Sequence, residues 1–300
     1  MLFSALESLS SRLDSRFMTA YFFPAFAAVL GTIWIVALAV GNERIVDRVE
    51  GLDSAEQAIA VGVILLATMM LAHMLSAMGR PIATLFAGRV YPPPVRDMSV
   101  RGQIKARRRA RKEFIVAGRE DRLYPRDPAD TQPTSFGNVL AAIADYPRVV
   151  YAMEAFLWWP RLLPLLPTEY QDLLRTKETP MRAMLNLCLV SLYLAFLAVV
   201  VLGLMGTQEL NALLILAAGL VLSHLCYRAA VTQATELART VWVAFDLYRS
   251  AILEHFHEER PATLEEERLL WQRLGERLHQ MEEPTAAGTE GAAPVASAKA

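Results

Sequence analysis

Four long stretches of the chain contain no Asp, Glu, Lys or Arg: residues 17–42, 57–79, 183–208 and 210–227. A helix crosses a hydrocarbon core about 30 Å thick with about 20 apolar residues. Three stretches exceed that length, and the fourth, of 18 residues, lies at the short end of the range. The pattern predicts an all-α, polytopic membrane protein with four transmembrane helices. These are split two and two by a charged interval of 103 residues, 80–182. Pro24 falls inside the first span, removes a backbone donor and predicts a kink.

Other periodic stretches flank the spans. In residues 1–16, Leu2, Leu6, Leu9 and Leu13 recur at helical spacing, which predicts an amphipathic helix on the inner membrane surface. Beyond the fourth span no proline occurs until Pro261, so that span is expected to continue as one helix to about Glu258. Leu237, Val241, Phe245, Tyr248, Ile252 and Phe256 mark one buried face of this extension. Thr263 and Glu266 form a capping box that opens a further helix, carrying Leu269, Leu270, Trp271, Leu274 and Leu278. Residues 228–282 thus read as cytoplasmic helices. Residues 283–300 are mostly Ala, Gly, Pro, Thr and Ser and read as a disordered tail.

Charge sets the expected orientation. Loop 41–56 holds two basic residues, Arg44 and Arg48, against five acidic ones. The 80–182 interval holds 18 of the 30 Lys and Arg, and eight more follow the fourth span. Basic residues near span ends stay cytoplasmic. Both termini and the interval are therefore expected inside, with 41–56 and the short turn near 206–209 outside.

Within the interval, Arg101, Lys105, Arg107, Arg108, Arg109, Arg111 and Lys112 form a basic tract free of acidic residues. Placed soon after a span and without interleaved aromatic residues, it reads as a tract for anionic lipid headgroups rather than for nucleic acid. Residues 118–135 read as a loop, followed by an Ala-rich helix to Asp145. The 149–166 segment is apolar and aromatic but interrupted by Glu154, Arg161, Pro160 and Pro164. It is too broken to span. It reads as lying in the inner interface or packed under the bundle, with a re-entrant loop as the alternative.

Candidate chemistry is sparse. The intramembrane polar residues include His73, Ser76, Asn186, Ser191, Tyr193, Ser223 and His224. Of these, His73, Asn186 and His224 are the ones to weigh first as functional groups. The plain expectation is hydrogen bonding between helices, with Asn186 and His224 close enough to the cytoplasmic ends to meet water. Met70, Met74 and Met78 recur beside His73 and read as gap-fillers, with a Cu(I) site as the sharper alternative. Cys188 and Cys226 read as small buried hydrophobes. His255 and His257 point to different helix faces, and Asp246 and Arg249 read as a local ion pair. No phosphate loop, nucleophile elbow or metal-binding motif occurs, so neither an enzyme nor a cofactor or metal is expected.

Two groups of motifs stand out. One comprises Pro133-Thr134, Gly137-Asn138, Asp145-Tyr146-Pro147, Tyr151, Trp159-Pro160-Arg161-Leu162 and Leu166-Pro167. The other comprises 244–249 (Ala-Phe-Asp-Leu-Tyr-Arg) and 266–271 (Glu-Glu-Arg-Leu-Leu-Trp). Over roughly residues 130–275 they resemble a block shared by uncharacterised bacterial membrane proteins. The chain departs from that block at Ala141 and Ala144, where Arg and Glu are expected. The resemblance implies a bacterial inner-membrane location and carries no activity. Gly137, Asn138, Trp158, Trp159, Arg161, Phe245, Asp246, Arg249 and Trp271 become the interaction candidates. The expected function is a membrane scaffold that presents cytoplasmic helical surfaces to a protein partner or to further copies. The alternative is an oligomeric channel or pore, which needs a water-lined path or rings of charge that these spans lack.

Overall fold

A computed structural model describes residues 14–41, 51, 53–117, 124–205 and 209–282, with the backbone alone for 110–117, 204–205 and 281–282. The amphipathic stretch 1–13, most of loop 41–56, the 206–208 turn and the 283–300 tail lie outside the described residues. Among the described residues the regular structure is helical, and no strand occurs. Four helices are long and apolar enough to cross a membrane: α1 (Ser15–Val40), α2 (Ser54–Ala77), α7 (Thr168–Met205) and α8 (Glu209–His255). Between them lie α3 (Gly79–Phe86), α4 (Pro93–Ala117), α5 (Ser135–Tyr151) and α6 (Ala155–Leu162), and α9 (Leu264–Glu282) follows.

The helix ends obey local chemistry. Asp53 and Glu56 close a capping box at the start of α2, with Glu56 N donating to Asp53 Oδ1 at 2.7 Å. The box read at Thr263 and Glu266 also forms, at 3.2 and 3.3 Å. α8 is one helix through the proline-free stretch and stops at His255, three residues before the expected Glu258, where His257 turns left-handed (φ 55°). α7 begins well before its charge-free run and passes through Pro180.

The chain divides into two compact units, 1–143 with 167–243 and 144–166 with 244–300. In the first, α7 is the central helix: 44 % of its apolar window is buried by the chain, against 17 % for α2 and for α8. It meets α8 closely at Gly219, where an added Cβ would lie 2.7 Å from Ala195 Cβ and 3.0 Å from the Ser191 carbonyl, so only glycine allows this approach. It meets α1 around Ile35, Ala198 and Leu202, which bury one another with Ala212.

At Pro24, where a kink is expected, the structure shows a change of helix type. A π-helical turn, Met18–Phe22, precedes it, and regular α-helix resumes at Phe23. Pro24 has no N–H for the carbonyl four residues back, that of Ala20. The Asn186 side chain of α7 supplies the donor instead, at 2.7 Å. Asn186 is 3 % exposed, so it does not meet interfacial water as its position in the sequence implied.

Candidate functional site

The second unit gathers most of both motif groups into one network. Asp246, near the end of α8, accepts hydrogen bonds from two tyrosines of α5. Tyr151 Oη donates to Oδ1 at 2.7 Å, and Tyr146 Oη lies 3.0 and 3.1 Å from the two carboxylate oxygens. One turn on, Arg249 lies over the Tyr151 ring, its guanidinium carbon 4.1 Å from the centroid. Its Nε and Nη2 donate to Glu267 of α9 at 2.7 and 3.3 Å, and Nη1 donates to the Asp246 main-chain carbonyl. The expected local pair of Asp246 with Arg249 is thus replaced: the guanidinium pairs with Glu267, while the Asp246 carboxylate is occupied by tyrosines. The geometry is bidentate and largely buried, at 18 and 14 % side-chain exposure.

Glu267 continues the network by accepting the Trp271 indole N–H at 3.3 Å. The Trp271 ring meets Trp158 of α6 edge to face (4.8 Å, 73°), and Trp158 meets Phe256 at 6.0 Å. Trp159 packs on Phe245 at 5.7 Å. Trp158 is 1 % exposed, and Trp271 and Phe245 are wholly buried, so these rings present no face to lipid headgroups. Leu157, Leu162 and Leu166 of the same segment are also buried. The stripe on α8 is likewise used inside the chain, with Val241, Phe245 and Ile252 buried. In both regions the buried residues pack within the chain, while Phe156 and Leu247 stay exposed, at 80 and 62 %.

This arrangement binds four helical segments together and leaves little for a substrate. Burial, reinforced by the hydrogen bond to Asp246, pushes the Tyr151 phenol well above its ordinary range, so it stays protonated as a donor. Each carboxylate has its donors and each ring its neighbours. This is a satisfied polar network, which rigidifies a core rather than poising a reactive group.

The other candidates fall elsewhere. Gly137 and Asn138 lie in a tight junction of the first unit. Thr134 caps α5 by accepting from Gly137 N at 2.9 Å, and its hydroxyl donates to the Phe86 carbonyl at 2.8 Å. A Cβ on Gly137 would sit 2.5 Å from the Ala87 carbonyl oxygen. Asn138 accepts from Gln132 N and donates to the Thr134 and Gln132 carbonyls, closing the turn before the helix. Arg161 donates to the Leu157 carbonyl one turn back.

In the basic tract, Arg101, Lys105, Arg108 and Arg109 are exposed on α4, and the side chains of Arg111 and Lys112 lie outside the described residues. Arg107 is different: it lies over Tyr124 (5.7 Å) and donates to the Arg126 carbonyl. In the spans, His73 packs its ring on Phe17 (5.1 Å) on an exposed side of α2, and His224 is exposed. Met70 and Met74 are 67 and 57 % exposed, so they face outward rather than filling gaps. Cys188 and Cys226 are buried free thiols, and Cys188 Sγ lies 3.1 Å from Ser223 Oγ.

Tyr146, Tyr151 and Glu267 belong to the motif groups, yet only Asp246, Arg249 and Trp271 of this network stand among the interaction candidates. One signal was available. Asp246 adjoins Phe245 on the buried stripe, and a carboxylate there requires donors from another element. Beyond this geometry, no protein-family model, no curated protein and no solved structure matches the chain.

Proposed function

We propose that the chain is a scaffold of the bacterial inner membrane. Four spans hold it there, and the 144–166 and 244–282 unit is presented on the cytoplasmic side to a protein partner or to further copies. Both termini lie inside in this reading, as the distribution of Lys and Arg favours. Arg101, Lys105, Arg108 and Arg109, all exposed on α4, hold anionic headgroups of the inner leaflet.

One observation carries the scaffold reading. The unit buries Trp158 and Trp271 and pairs Arg249 with Glu267, yet Phe156 stands 80 % exposed on α6, next to buried Leu157 and Trp158. The internal polar network argues for rigidity, and the exposed ring is of the aromatic type enriched at protein contacts. A photo-crosslinking residue at position 156 of the full chain in native membranes tests it. The expected product is a protein–protein adduct, lost in a Phe156→Glu chain made crosslinkable at Leu264. Adducts with lipid alone, or unitary ion currents from the purified chain in liposomes, would overturn the reading in favour of a membrane-buried surface or a pore.

A further inference from the structure

The uncharged run of α1 starts at Phe17 and that of α7 at Ala183. In a membrane, the charged residues just before each run, Arg16 and Arg182, would sit where hydrocarbon gives way to headgroups. α1 and α7 bring these two flanks side by side, and Arg16 reaches Asp172 at 3.2 Å. Between them lies a pocket of about 280 Å³ lined by Asp14, Arg16, Tyr21, Arg175, Glu178 and Arg182.

The lining is mixed in charge, three guanidiniums with two carboxylates, and its members are differently engaged. Arg182 is held by Glu178, with Nε 2.8 Å from Oε1. Among the described residues Arg175 lies 3.9 Å from Asp172, and its side chain is 63 % exposed. Asp14 uses Oδ1 to accept from Arg16 N. A ligand carrying one phosphate and one ammonium matches this set better than a purely anionic one, which the two carboxylates would repel.

We propose that this pocket seats the headgroup of a phospholipid with a phosphate and a primary ammonium, as in phosphatidylethanolamine. Arg175 takes the phosphate, because a guanidinium matches phosphate oxygens in pairs, while Arg16 beside it is held by Asp172 through both Nη atoms. Asp14 and Glu178 accept from the ammonium. A choline headgroup has no N–H to donate, and this lining offers one aromatic ring, Tyr21, rather than a cage for a quaternary ammonium. The inference needs the chain to be in a membrane but does not depend on the scaffold reading.

Native mass spectrometry of the full chain, titrated with phosphatidylethanolamine, phosphatidylglycerol and phosphatidylcholine of matched acyl chains, tests it. The expected result is at least about fivefold tighter retention of phosphatidylethanolamine, the scale of one well-placed interfacial charge. Arg175→Ala should weaken retention of all three lipids about fivefold, because each carries the phosphate, and should leave the margin of phosphatidylethanolamine over phosphatidylcholine in place. Asp14→Asn should narrow its margin over phosphatidylglycerol. Arg175 is exposed, so an unchanged melting midpoint will show that its variant folds. Equal retention of the three lipids, a preference for phosphatidylglycerol, or no response to Arg175→Ala would overturn the proposal. Soluble glycerophosphoethanolamine should displace the lipid only weakly, and displacement at equal potency would overturn a lipid as the source of the headgroup.

Discussion

The two units are both helical, yet they use side chains differently. In the spanning unit, α2 and α8 bury 17 % of their apolar windows within the chain, and most of their apolar residues face outward. Contact between α7 and its neighbours combines the aliphatic cluster around Ile35 and Leu202 with close approach at small residues, such as Gly219 against Ala195, and single polar bridges, such as Asn186 to Ala20. In the other unit, large rings interlock and charged groups pair bidentately. The proposed placement, with the first unit in lipid and the second in water, accounts for the difference. Lipid covers apolar surface as well as another helix does, so spans gain little from large interlocking side chains and associate through close backbone approach. A unit in water is held by removing aromatic surface from solvent.

The comparison breaks most visibly at Trp158. Trp158→Ala empties a site that is 1 % exposed, beside Trp271 and Phe256. Such truncations cost about 3–5 kcal/mol. The expected outcome is selective loss of protection in 144–166 and 244–282 by hydrogen exchange, with the spans unchanged. Equal loss of protection in α1 and α7 would show that the two units do not melt separately.

A smaller effect is expected at Asp246. Asp246→Asn keeps the shape but removes the charge that two tyrosine hydroxyls meet, and hydrogen bonds to charged groups contribute about 1.5–3 kcal/mol. The sign with pH follows from Tyr151, whose phenol is raised above its unfolded value of about 10. The stability it contributes is complete below pH ~10 and is lost as pH rises through the higher folded value. Ultraviolet titration should show at least one tyrosine ionising late in the native chain and earlier in Asp246→Asn. Coincident titration curves would remove Asp246 as the cause.

How much was legible beforehand tracks the same contrast. The spans, the α8 extension and the Thr263 cap were readable because each depends on residues close in sequence. Glu267 and Asp246 were not readable as partners of Arg249 and the tyrosines. Residue types at positions 246 and 249 favour a local pair, and only the return of α9 and α5 brings competitors 18 and 95 residues away. Asn186 was misplaced for a related reason. Its position near the end of a charge-free run suggested water, whereas the deciding feature was a proline on another helix.

That pairing gives the smallest and most specific prediction. Asn186→Leu leaves the Ala20 carbonyl without the donor that Pro24 also fails to supply. Side-chain hydrogen bonds between spans contribute about 0.6 kcal/mol on average, so a loss near that size is expected in a reversible unfolding assay in micelles. Pro24→Ala restores an N–H four residues beyond Ala20, and in that background Asn186→Leu should cost distinctly less. A double-mutant cycle isolates this coupling from any packing change at position 186. Additive losses would mean that Asn186 and Pro24 act independently and that the π turn at Met18–Phe22 already satisfies the carbonyl. A positive coupling would mean that the spanning unit, poor in polar contacts, keeps this one because a proline in α1 leaves a carbonyl that only α7 can meet.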